Sequence, residues 1–370
     1  MAAQPLPSET KFRLDQLFRS EALVTIREFF AMSPELQRLV EHRVLQIHAI
    51  VDANVVQGEL RWRLGSRENP EARSGLEEAL DAGVLVLIAP NFLKVEIEKH
   101  LPAIAEQTHT TLSEAEREWK VFQTKLRFYQ PLSQVPDGWV ADPKDLPYKH
   151  ACDELALPVY TRDAHLAKMG APVLWVCIDT VCRDHARATS VTLGFTMGST
   201  YSVTIGVEAL RAAGQGIKSL FEGFRRLPTW LQLTISGSLA AIVFHPRSRA
   251  KVLQVWNSAC ATARDAKAPL LDGFMVVMNQ FAVAQAAADR TKRQIEAVLP
   301  RVKNASAIVH ARRICVLCAG PVPIKEIADR MRSEGYVSRA KHFESYLRRL
   351  LRESGQFVER SRGVWELRDC

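Results

Sequence analysis

Four carboxylates fall at comparable points along the first half of the chain. Asp52 follows the apolar run Ile47-His-Ala-Ile-Val51, and Asp163 follows Leu157-Pro-Val-Tyr-Thr-Arg162. Glu96 comes a turn after Asn91, just beyond the apolar run Gly83 to Pro90, and Asp145 stands immediately before Leu146-Pro147. Taken singly, each reads equally well as a strand end, a helix cap or a surface charge. Together they suggest one site. Four unpaired carboxylates at one sheet edge would raise each other's pKa, and a hard cation with oxygen ligands, Mg²⁺ or Mn²⁺, resolves the repulsion. One or two such ions can generate hydroxide and stabilise the charge of an in-line phosphodiester displacement.

The elements that must position these acids follow from periodicity. Residues 83–90 form a continuous apolar run, too short for a helix and rich in β-branched residues, so a buried parallel strand is expected. Strands are expected to end at Asp52 and Asp163, with another over Val173–Cys177. Helices are expected over 55–63, 75–82, from Asn91 to about 105, over 110–128 with Thr111 or Ser113 as cap, and over 148–154. Strand alternating with helix over 45–180 predicts an α/β domain, a parallel sheet with flanking helices. In such sheets the carboxyl ends of the strands hold the site.

The motifs Ile50-Val-Asp-Ala-Asn-Val-Val56, Lys94-Val-Glu-Ile97, Asp142-Pro-Lys-Asp-Leu-Pro147 and Val159-Tyr-Thr-Arg-Asp-Ala-His-Leu166 resemble those of the PIN-domain nucleases. The resemblance covers about residues 45–180. It implies a metal-dependent endoribonuclease in which Asp52, Glu96, Asp145 and Asp163 ligate Mg²⁺ or Mn²⁺ directly or through water. Asn54 and Thr161 match family positions that support the acids by hydrogen bonding, and Asp142 is a second candidate for the third acid. The chain departs from the family where many members carry a further Asp two residues after the last acid; here that residue is His165. It is a replacement ligand, a substrate-phosphate contact or a loop histidine.

The 370 residues carry a net charge of +8, which suits a polyanionic partner. Residues 301–370 hold 15 Lys and Arg against 8 Asp and Glu, a net of +7, so the excess is concentrated there. Seven scattered cysteines form no paired framework and fit a reducing cytoplasm, and Cys315-x-x-Cys318 lacks the second pair that a zinc site needs. Met1 to Thr10 has neither an apolar core nor a basic start, so no secretory signal is expected.

Residues 1–44 read as a helical leader and 181–304 as a mainly helical middle region. Two stretches without charge, 188–207 and 227–246, each approach the ~20 residues that cross a bilayer. Their Thr, Ser, Gly and Gln content and basic flanks on every side also fit a buried or self-associating helical pair. Both readings stand, a membrane hairpin at the inner membrane or a helical pair in a homo-oligomer.

From about residue 305 the pattern is three helices, Ala307–Cys318, Ile324–Glu334 and Arg339 to about Glu353, then an alternating ribbon from Phe357 to Leu367. Residues 305–370 are similar to winged helix-turn-helix domains. The resemblance implies that the third helix enters a major groove. Arg339, Lys341, His342, Arg348, Arg349 and Arg352 would be its basic residues, with Arg360 and Arg362 on the wing. The same surface could instead meet a protein. Two functions are therefore carried forward: an endoribonuclease acting on RNA and directed by a basic module, or a non-catalytic regulator that binds DNA through that module and RNA through the sheet domain.

Overall fold

Apolar runs bounded by turn residues become strands, and the amphipathic stretches between them become helices. The computed structural model describes residues 20–21, 23–25, 45–67, 69, 72–132, 143–201, 268–300, 305–318, 320–338 and 340–368. The chain divides into two compact units. One comprises residues 46–80, 85–180 and 295–370; the other comprises 1–45, 81–84 and 181–294.

The first unit is built on a five-stranded parallel sheet with flanking helices. Its elements in chain order are β1 (Ile47–Val51), α1 (Ala53–Arg61), α2 (Gly75–Asp81), β2 (Leu85–Pro90), α3 (Phe92–Gln107), α4 (Leu112–Gln123), β3 (Arg127–Tyr129), α5 (Leu146–Leu155), β4 (Val159–Thr161), α6 (His165–Lys168) and β5 (Val173–Trp175). The strand order is β3-β2-β1-β4-β5. β1 pairs with β2 from Ile47↔Leu85 to Ile50↔Ile88, and with β4 through Ile50↔Val159 and Val51↔Tyr160. The chain therefore reverses its direction of travel across the sheet between β1 and β4. That is the position at which open parallel sheets leave a crevice. Ala49, Ile50, Val51, Leu87, Ile88 and Val159 are fully buried. Each of these valine, leucine and isoleucine side chains contributes roughly 1.5–3 kcal/mol on leaving water.

β3 corrects the expected helix over 110–128. α4 starts as expected, with Thr111 and Glu114 forming a reciprocal capping box. It ends in turn-type bonds, Lys125 N–H to Phe122 and Leu126 N–H to Gln123. Arg127–Tyr129 then pair with Ile88–Pro90. Tertiary pairing overrides a local preference that three residues are too few to express.

The same unit contains the C-terminal module: α7 (Ala307–Cys318), β6 (Val322–Pro323), α8 (Ile324–Ser333), α9 (Phe343–Ser354), β7 (Phe357–Ser361) and β8 (Val364–Leu367). The three strands form a small antiparallel sheet, order β6-β8-β7. Ile314, Ile327, Met331, Leu347, Leu351, Phe357 and Trp365 make its core, with Cys315 buried among them. Burial pushes the Cys315 thiol up to about 12. The third helix begins at Phe343, not Arg339. The Ala340 N–H bonds to Ser338 Oγ, a local turn that competes with helix, and His342 takes the N-cap position.

The module is fastened to the sheet domain by a buried ion pair. Arg312 on α7 donates from Nη1 to the Glu154 carbonyl at 3.0 Å and lies 3.8 Å from Glu154 Oε2. That carboxylate also accepts Tyr129 OH at 2.5 Å and the Leu132 N–H at 3.0 Å.

In the second unit a helix running Ile178–Tyr201 and another over Ala268–Val298 are in contact. Phe195 meets Phe281 at 4.9 Å between ring centroids, and buried His185 bonds Thr291 Oγ1 at 3.1 Å. Among the described residues no helix is long and apolar enough to cross a membrane. The expected segment 227–246, the end of 188–207 and nearly all of the helical leader lie outside the described residues.

Candidate functional site

Asp52 leaves β1 with extended backbone, φ −88° and ψ 149°, and holds the N-cap position of α1. Its side chain makes no capping bond there. It turns instead to β4, where Thr161 Oγ1 donates to Asp52 Oδ2 at 2.5 Å. The neighbouring register Val51↔Tyr160 makes this reach possible. Thr161 is fully buried and Asp52 is 7% exposed.

The Thr161 hydroxyl has a full complement of partners. Besides donating to Asp52, it accepts Asn54 Nδ2 at 3.1 Å and the Asp163 N–H at 2.9 Å. A hydroxyl has one proton and two lone pairs, so its proton is committed to Asp52. Asn54, the second residue of α1, uses its other amide atom as well: Oδ1 accepts the Arg162 N–H at 3.2 Å. Asn54 and Thr161 thus tie the loop after β4 to the start of α1. Support of the acids by hydrogen bonding was expected of both; Thr161 bonds Asp52 and the Asp163 N–H, whereas Asn54 bonds Thr161 and the Arg162 N–H.

Glu96 and Asp145 join from two helices. Asp145 occupies the N-cap position of α5, whose first turn contains Pro147. Glu96 lies on α3 and accepts Tyr148 OH at 2.5 Å. Tyr148 is buried, and burial together with the Glu96 carboxylate holds its phenol far above the ordinary value; Asp52 and Asp145 add to the effect. Burial raises the Asp52 carboxyl to about 6; the Thr161 hydrogen bond opposes this, and the charges of Asp145 and Glu96 reinforce it. Asp52, Glu96 and Asp145 therefore share one electrostatic field. Tyr148 is the residue that sequence reasoning missed, although an aromatic three positions after Asp145 on a helix faces the same way.

Asp163 is placed differently. Its side chain is 47% exposed, Oδ1 accepts the His165 N–H at 3.0 Å, and Oδ2 lies 3.5 Å from His165 Nδ1. His165 is thus the partner of Asp163 at the start of α6. Asp142 lies outside the described residues. The donor set is oxygen only, the chemistry a hard divalent cation selects. Among the described residues, no group of three or more His, Cys, Asp or Glu side chains is arranged to hold a metal ion. Asp52, Glu96 and Asp145 share one field, with Glu96 engaged by Tyr148, while Asp163 is tied to Asp52 only through Thr161 and is paired with His165.

The basic face of the C-terminal module is partly offset by acids. Arg349 pairs with Glu353 at 3.8 Å, Arg352 with Glu359 at 3.3 Å and Arg360 with Glu366 at 2.5 Å. Arg348 is half-buried, next to the turn at Gly363. Lys341, His342 and Arg362 are exposed, with Lys341 and His342 ahead of α9 and not on it as the sequence suggested. Arg339 lies outside the described residues.

Compared with protein-family models, with curated proteins and with solved structures, the chain matches none of them.

Proposed function

We propose that the chain is a metal-dependent endoribonuclease of the PIN type whose C-terminal module, of the winged-helix kind, directs it to nucleic acid. The observation that carries this is the linkage of Asp52, Thr161, Asn54 and Asp163 across the carboxyl ends of β1 and β4, with Glu96 and Asp145 in reach of the same field. Asp52, Glu96, Asp145 and Asp163 would hold Mg²⁺ or Mn²⁺, directly or through water. A bound divalent ion lowers the pKa of its water and neutralises charge on the phosphate under attack.

The chain's own residues do the rest. Thr161 fixes the rotamer of Asp52 and keeps one carboxylate oxygen occupied. Asn54 holds the loop that carries Asp163. Tyr148 holds Glu96 and, with its phenol far above neutrality, remains a donor throughout the working range. The burial that raises the Asp52 carboxyl to about 6 means that cation binding and proton release are coupled there.

The test is cleavage of a single-stranded RNA in Mn²⁺ by the full chain, beside Asp52→Asn and Asp163→Asn. Cleavage by the parent chain and its loss in both variants is the expected result. No cleavage, or cleavage that survives both substitutions, overturns the reading. The second reading, a non-catalytic nucleic-acid-binding regulator, draws on one observation: among the described residues no three acids are arranged around a common ion. It predicts RNA binding without turnover in the same assay, with DNA bound through the C-terminal module.

A further inference from the structure

Arg162 lies between Thr161 and Asp163, yet its side chain leaves the carboxylate crevice. Its backbone N–H is held by Asn54 Oδ1 at 3.2 Å. Its guanidinium lies on Gly58, four residues beyond Asn54 on the same face of α1. A Cβ built on Gly58 would stand 2.7 Å from Arg162 Nη1 and 2.9 Å from Cζ. Glycine inside a nine-residue helix is unfavourable, and here the missing side chain is what admits the guanidinium. Arg162 is exposed, and no acidic partner for its guanidinium is found among the described residues. By contrast, Lys149 near the same site pairs with Asp153, and Lys94 lies 4.2 Å from the centroid of the Phe128 ring.

We infer that Arg162 is a substrate-anchoring residue that binds a phosphate other than the one cleaved. Gly58 is six residues beyond Asp52, about 9 Å along the helix axis. At about 3.4 Å per nucleotide along one stacked strand, that distance corresponds to roughly two to three nucleotides. A planar guanidinium held flat, with its edge N–H groups open to solvent, matches a phosphate's paired oxygens. The inference rests on the nuclease reading and names its substrate class, a single strand long enough to span Asp52 and Gly58. Because the contact exists equally before and during the reaction, its loss acts on KM and not on kcat.

The experiment compares the full chain with Arg162→Ala, Arg162→Lys and Gly58→Ala on a ten-nucleotide RNA and on a dinucleotide, in Mn²⁺. On the longer RNA, Arg162→Ala raises KM about tenfold and leaves kcat within about twofold, and Arg162→Lys recovers part of the loss. Gly58→Ala, which displaces the guanidinium without removing its charge, raises KM without lowering the melting temperature. On the dinucleotide, parent and Arg162→Ala behave alike. An unchanged KM on the longer RNA, or an equal loss on the dinucleotide, overturns the assignment. Should the parent chain cleave neither RNA, the nuclease reading falls and Arg162 is judged by fluorescence anisotropy of the labelled ten-nucleotide RNA. A salt dependence shallower by about 0.7 in Arg162→Ala sustains the anchor, and an identical slope removes it.

Discussion

Thr161 has one proton and two lone pairs, and all three are used: by Asp52, by the Asn54 amide and by the Asp163 N–H. Thr161→Val removes the hydroxyl at nearly constant shape and strands a buried carboxylate and two N–H groups. A loss of about 2–4 kcal/mol is expected, with Thr161→Ser recovering most of it, measured by urea unfolding. Asp52 makes a second prediction. In the unfolded chain its carboxyl titrates near the ordinary 3.8, and in the fold near 6. Between those values the folded state holds the extra proton, so stability falls as pH rises, and the full penalty of about 3 kcal/mol is present above pH 6. The metal-free protein is therefore more stable at pH 4 than at pH 7 as far as this group is concerned. Asp52→Asn flattens that slope and gains up to about 3 kcal/mol at pH 7. Mn²⁺ raises the melting temperature of the parent chain at pH 7 and not that of the variant. Equal pH slopes for the two proteins would contradict this account.

At the scale of elements, α5 stores a small strain. Its C-cap residue Ala156 has φ 49° and ψ 52°, the left-handed region where a Cβ is penalised. Ala156→Gly is expected to stabilise the fold by about 0.5–1 kcal/mol, read as a higher denaturation midpoint at unchanged slope. The central strands β1, β2 and β4 were legible in the sequence because a strand buried on both faces is written as an apolar run, and Asp52 and Asp163 were legible because those runs stop at them. β3 was not, since its three residues owe their conformation to β2 and not to their own pattern. The start of α9 was misplaced because a Ser338 side-chain bond takes the Ala340 N–H and competes with helix there. The site shows the same division. Residue types marked the carboxylates, Asn54 and Thr161 as candidates, and the hydrogen bonds among Asp52, Thr161 and Asn54 agree with their grouping. The partners of Glu96 and Asp163 depend on side-chain directions that no spacing records. Gly58 left the one faint sign, an isolated glycine inside a helical pattern.

At the scale of the whole molecule, the C-terminal module and the parallel sheet belong to one compact unit. Arg312 is the side chain that makes this costly to undo, because its guanidinium pairs with the buried Glu154 carboxylate and bonds the Glu154 carbonyl. Arg312→Met is expected to lose about 3–5 kcal/mol and to split a single unfolding transition into two, followed by calorimetry and by tryptophan fluorescence. A recognition module on a flexible tether raises the local concentration of its target but leaves the cut free to fall anywhere within the tether's reach. Arg312 and Glu154 replace the tether with a fixed joint. The module would then act as a ruler: fragments should end at one constant offset from the nucleotides it grips, and Arg312→Met should blur that single end into a ladder.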